Sequence, residues 1–203
     1  WWGIGGMVDW TNPDAAAYWH DEKRQPLIDI GLIGHWTDLG EPELFDEVSW
    51  YHGLPDEYVE QHNQFDIHNL YNFMWSKSIF DGYIRNGVTQ RPFILSRSGA
   101  PGSQRLGVSM WSGDIGSNLE SLAAHLQVQG MMSLSGMDYF GSDIGGFYRS
   151  GVVAGIDNVY TPWLAAGSLL DVPVRVHTQN LCNCQETAPD RVGDLDSNLA
   201  SVR

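Results

Sequence analysis

Short apolar runs alternate with longer amphipathic stretches along this chain, and polar or glycine-rich residues follow each run. Ile28 to Trp36, Pro92 to Ser96, Val108 to Trp111, Tyr139 to Ser142 and Val172 to His177 read as about five strands. Between them lie helical patterns. Thr11-Asn12-Pro13-Asp14 signals a first helix, capped by Asn12 and continuing to about Gln25. Residues 66 to 86 show helical spacing through Ile67, Leu70, Tyr71, Met74, Trp75 and Ser78, and Asn118 to Met132 and Asn158 to Leu170 are further helices. Such alternation belongs to α/β folds built on parallel strands.

The residues just past each strand narrow the fold further. Thr37-Asp38, Arg97-Ser98, Ser112-Gly113-Asp114, Asp143-Ile144-Gly145-Gly146 and His177-Thr178 all sit directly after an apolar run. Parallel barrels carry their chemistry on the loops after the strands, at one face. A doubly wound sheet would use a glycine-rich phosphate loop, and neither GxGxxG nor GxxxxGK[ST] occurs. The expected architecture is therefore a (β/α)8 TIM barrel, present only in part, with about five βα units in residues 1–203. Trp1-Trp2-Gly3, with no initiator Met, and the abrupt end from Leu195 to Arg203 are expected to be cuts within a longer protein.

Eleven basic residues against twenty-five acidic ones leave a net charge of −14, which opposes nucleic acids and anionic membranes as partners. No stretch approaches the roughly 20 apolar residues of a membrane span. Nine Trp, eight Tyr and seven Phe suit a cleft that stacks on sugar faces, although most such rings serve a core. Cys182 and Cys184 are too close in sequence for an unstrained bridge and lack a second pair for zinc. Read as free thiols, they favour a reducing compartment, the cytoplasm.

Two carboxylates stand out because each closes an apolar strand just after a Trp: Asp38 in Ile33-Gly34-His35-Trp36-Thr37-Asp38 and Asp114 in Val108-Ser109-Met110-Trp111-Ser112-Gly113-Asp114. Such a pair at one barrel face can perform glycoside hydrolysis, which needs one ionised carboxylate and one protonated acid. A strand-end Asp standing alone is more commonly a helix cap or loop anchor.

The neighbouring residues decide between these readings. Trp36-Thr37-Asp38-Leu39-Gly40-Glu41-Pro42 resembles the nucleophile motif of glycoside hydrolase family 31. Arg97-Ser98, Gly102-Ser103-Gln104-Arg105 and Trp111-Ser112-Gly113-Asp114 resemble the segment that ends in its acid/base aspartate. Gly141 to Phe147 is similar to its substrate-contacting glycine-rich loop, and Arg175-Val176-His177 to the strand with its sugar-binding histidine. The resemblance spans about Asp9 to His177. It implies a retaining α-glycosidase, with Asp38 as nucleophile and Asp114 as acid/base. Arg97, Asp143 and His177 would bind sugar hydroxyls, Trp36 and Trp111 would shape the walls, and Glu41 would support the nucleophile. A carbohydrate substrate is implied, with no cofactor and no metal.

The chain departs from the family at Leu39-Gly40, where Met-Asn is common, and at Ile115, where Asn is common. The sugar is left open among glucosides, xylosides, galactosides and sulfoquinovosides, as is transglycosylation. The missing early strands imply association with the remainder of the barrel or another chain, and an inactive carbohydrate-binding fragment is the alternative from another class. His52, His62 and His68 with Asp56, Glu57, Glu60 and Asp66 are expected to form a solvated loop, because no i, i+4 histidine pair marks a metal helix.

Overall fold

In the computed structural model, residues 5–42, 51–62, 64–148 and 157–172 are described. The chain forms two compact units, residues 1–108 and 109–203.

The first unit begins with α1, Pro13–Trp19, where Asn12 Oδ1 accepts from the backbone N–H groups of Asp14 and Ala15. Two orphan donors of the first turn are thereby satisfied, as the Asn-Pro-Asp signature requires. The helix does not stop at Gln25. A π-turn over His20–Arg24 leads into α2, Gln25–Asp29. Pro26 explains the widened turn, since its ring would clash with the carbonyl four residues earlier in a regular helix. The predicted strand from Ile28 is therefore wrong at its start: Ile28 is buried on α2, and β1 spans Gly34–Thr37.

Two short helices, α3 (Asp56–Gln61) and α4 (Gln64–Ile67), occupy much of the segment expected to be an irregular loop. Val59 and Ile67 supply the apolar face that turns these residues helical, packing with Trp10, Tyr51 and Tyr71. Trp10 stacks on Trp75 at 5.4 Å, and the Arg24 guanidinium lies 5.0 Å from its ring. Helix α5, Leu70–Arg85, backs β1, and β2, Phe93–Ser96, pairs with β1 in parallel. The register sets Thr37 opposite Ser96. Asp38 and Arg97 consequently leave neighbouring strands at the same carboxyl end.

The second unit takes in all but the first residue of β3 (Val108–Trp111), which pairs in parallel with β4 (Phe140–Gly141), with Trp111 opposite Gly141. Helix α6, Leu119–Leu134, starts on Asn118, whose side chain accepts from Ser121 N. Helix α7, Asp157–Leu170, packs Val159, Tyr160, Trp163 and Leu164 with Leu122 and Ile144. Asp114 and Asp143 again lie past the carboxyl ends of parallel neighbours. The expected last strand begins at Val172, but Pro173 to His177 lie outside the described residues.

Candidate active site

In the first unit the loop after β1 turns back on itself. Leu39 has φ 57°, the one non-glycine residue with positive φ among the described residues, a conformation that costs about 1–3 kcal/mol. The bend returns Glu41 to the strand ends. There Arg97 Nε and NH2 donate to the two oxygens of Glu41 at 2.7 and 3.0 Å, and Asp38 Oδ1 lies 3.7 Å from the same Nε. The Arg97 side chain is only 8% exposed, so its charge is balanced by adjacent carboxylates rather than by water. Asp38 keeps 35% of its side chain open to solvent and thus to a ligand. His68 Nδ1–H donates to the Glu41 carbonyl at 3.0 Å, tying the far end of the loop to the start of α5. Trp36 is half exposed on β1.

The second unit holds Trp111, 3% exposed, and a Gly113 with φ 73° that turns the chain towards a half-buried Asp114. The Ile115 carbonyl accepts from Phe147 N and Tyr148 N, and Ser117 N donates to the Tyr148 carbonyl. The loop after β3 is thereby laced to the glycine-rich loop after β4. Gly146 N donates to the Asp143 carbonyl at 2.8 Å to close that second loop. Asp143 itself is fully buried. Beneath it, Asp171 Oδ2 accepts from both Ser142 N and Ser142 Oγ at 2.9 Å, Trp163 Nε1 donates to Ser142 Oγ at 2.8 Å, and His125 Nε2–H donates to Asp171 Oδ1 at 3.1 Å.

Of the sequence-derived set, Asp38, Glu41 and Arg97 meet in the first unit. Trp111, Asp114 and Asp143 occupy the strand ends of the second. His177 lies outside the described residues. Glu41 was expected to support the nucleophile, and its carboxylate reaches Asp38 through Arg97. The histidines of the acidic segment serve separate ends: His52 N donates to Asp9 Oδ2, His62 lies 3.9 Å from Asp66, and His68 holds Glu41. Among the described residues no three His, Cys, Asp or Glu side chains gather as a metal site.

Sequence reasoning missed Asn72, His125 and Asp171. Asn72 had a signal: His68, Asn72 and Ser76 recur every four residues, a polar stripe on an otherwise apolar helix face. Asp171 ends a helix, where acidic residues are unfavourable to the macrodipole, and the anomaly pointed to a partner elsewhere.

Residues 1–201 match the profile described as the glycosyl hydrolases family 31 TIM-barrel domain. Alpha-glucosidase 2 of Bacillus thermoamyloliquefaciens is 33% identical over 149 residues, 72% of this chain and 19% of that protein. The GH31 dextranase of Flavobacterium johnsoniae, solved with glucose, is 27% identical with a TM-score of 0.69, over 92% of this chain and 23% of that one. A GH31 alpha-xylosidase from a soil metagenome, solved with xylose, is 26% identical with the same TM-score, over 84% of this chain and 24% of that one. The chain thus spans about a fifth of the length of the curated relatives it matches.

Proposed function

The chain belongs to the TIM-barrel domain of glycosyl hydrolases family 31, and on that premise we propose that the protein hydrolyses α-linked glucosides or related glycosides by double displacement, with Asp38 as nucleophile and Asp114 as acid/base. The observation that carries this reading is the Asp38–Arg97–Glu41 cluster at the carboxyl ends of β1 and β2, the end where barrel enzymes keep their chemistry. The Asp38 carboxylate attacks the anomeric carbon while Asp114 gives its proton to the departing oxygen, so the glycosidic bond breaks as a glycosyl ester forms. Asp114, now a carboxylate, then takes a proton from water, whose oxygen displaces Asp38 and leaves the sugar with its original anomeric configuration.

Arg97 acts by position. Held at two points by Glu41, it cannot swing, and its Nε side faces Asp38 and any hydroxyl beside it. Asp143 and His177 are the further hydroxyl ligands in this reading, with Trp36 and Trp111 as walls. Among the described residues β1 pairs on one edge only, and we assign its other edge to barrel strands from the rest of the protein, since an open edge invites pairing.

A screen of 4-nitrophenyl α-glucoside, α-xyloside and α-galactoside against the full-length protein tests the proposal. Turnover with the α-anomer as first product by proton NMR is the expected result. A β-anomer first would replace double displacement with single inversion, and binding without turnover of any α-glycoside would favour the carbohydrate-binding alternative.

A further inference from the structure

Asn72 is the third residue of α5, 2% exposed, with its amide under the strand ends. Its Nδ2 donates to the Thr37 carbonyl at 3.3 Å. Its Oδ1 accepts from Ser96 Oγ at 2.6 Å, Ser76 Oγ at 3.2 Å and, at 3.4 Å, Thr37 Oγ1. The Thr37 carbonyl can only accept, so it dictates which way the amide is turned. Thr37 and Ser96 are almost fully buried and directly precede Asp38 and Arg97. One side chain therefore ties together the last residues of β1 and β2, from which both groups of the cluster project.

Gly40 adds a second, independent observation. A Cβ built on it would fall 1.9 Å from Asn72 Nδ2 and 2.8 Å from Asn72 Cγ. The Asn72 amide thus fills the space that a side chain at position 40 would need. Gly40 is also the place where the motif that this chain resembles commonly carries Asn, two residues past the nucleophile. We infer that Asn72 is a positioning residue for the Asp38 turn, and that it supplies from α5 the amide that the related motif carries at position 40.

The inference rests on Asp38 being the nucleophile. It makes positions 40 and 72 a coupled pair: one amide fits between α5 and the turn, and two do not. Substituting either residue alone should shift the turn, by removing its support in Asn72→Gly or by wedging it outward in Gly40→Asn. Exchanging both should restore one amide in the same space. Misplacement of a reacting group by about 1 Å costs on the order of a hundredfold in rate.

The test uses the full-length protein and whichever 4-nitrophenyl α-glycoside it turns over. Asn72→Gly and Gly40→Asn should each lower kcat by about tenfold or more, with KM little changed, and the double variant Asn72→Gly/Gly40→Asn should recover most of that loss. A residue that merely stabilised the fold would lower the melting temperature and leave kcat per folded molecule intact. Full kcat in Asn72→Gly, or a double variant no faster than Asn72→Gly alone, overturns the inference. Should Gly40→Asn not fold, the comparison of Asn72→Gly with the double variant still decides. Asp38→Ala separates the two levels: activity retained there overturns the proposed function, whereas an inactive Asp38→Ala beside an undisturbed Asn72→Gly overturns this inference alone.

Discussion

Arg97 grips both carboxylate oxygens of Glu41, and the grip leaves its Nε edge 3.7 Å from Asp38. Glu41→Gln keeps the shape but removes one charge and one acceptor of the fork. The variant should lose about tenfold or more in kcat/KM, because hydrogen bonds to charged groups contribute roughly 1.5–3 kcal/mol. Arg97→Lys should fare no better, since an ammonium lacks the planar fork that meets both Glu41 oxygens in parallel and holds the side chain in one orientation. Steady-state kinetics on the full-length protein check both. Wild-type kcat/KM in Glu41→Gln would show that the fork plays no part in turnover.

Asp38 and Asp114 should respond differently to removal. Asp38→Ala should abolish turnover of every substrate, because no glycosyl ester can form. Asp114→Ala should spare substrates with good leaving groups, which need little protonation, and added azide should restore its second step with net retention of configuration. The azide adduct's anomeric configuration by proton NMR is the deciding measurement. Inverted azide product would assign Asp114 another role.

Acid should destabilise the first unit through two imidazoles that folding withdraws from water, His20 fully and His35 in part. Burial first, with the Arg24 and His20 charges beside it, pushes His35 down to about 4, while Tyr83 Oη sits 2.9 Å from its ring. His20 is lowered for the same leading reason, followed by Arg24 and Arg85. A histidine kept neutral by folding contributes stability above its unfolded value of about 6.5, and that contribution fades as pH falls from there towards 4, where the unfolded chain alone takes up the proton. Urea midpoints measured from pH 7.5 to 4.5 should fall, and His35→Gln should flatten the slope. An unchanged slope in that variant would remove His35 from the account.

Gly146→Ala should be far more damaging than Gly31→Ala, although both positions have positive φ, 78° and 101°. A Cβ at Gly146 meets the Gly116 carbonyl oxygen at 2.6 Å, whereas nothing lies within 4 Å of one at Gly31. Gly31→Ala then costs only the backbone strain, about 1–2 kcal/mol, and Gly146→Ala adds the separation of the two site loops. Chemical denaturation gives the ranking, and equal losses would mean that the loops do not bear on each other.

Much of this was legible because the chemistry of the strand ends is written locally. Asp38, Glu41 and Arg97 fall in short motifs next to apolar runs, and the register of β1 on β2 makes the motifs meet. The helices over residues 70–85 and 119–134 follow from periodicity, and the Asn12 cap from the Asn-Pro-Asp signature, in the same way. Where the reading failed, a backbone irregularity or a distant partner decided. Ile28 looks like the head of a strand until Pro26 and the π-turn keep the chain helical for four more residues. The acidic segment seemed polar throughout until Trp10 and Tyr71 gave Val59 and Ile67 a surface to bury. Asn72 and Asp171 carry no motif, since their partners lie 35 and 29 residues away along the chain.

The π-turn at His20–Arg24 makes this stretch one residue longer than the cylinder it occupies. Removing any single residue there would straighten the helix and tidy its hydrogen bonds. Winding the full sequence as a regular helix instead would turn everything beyond by about 100°, swinging Ile28 away from its buried side and carrying Leu27, now 46% exposed, inward. The irregularity is thus the phase adjustment that lets one continuous helical segment seat His20 and Ile28 on the same side, and a regular helix of the same residues would lose that alignment.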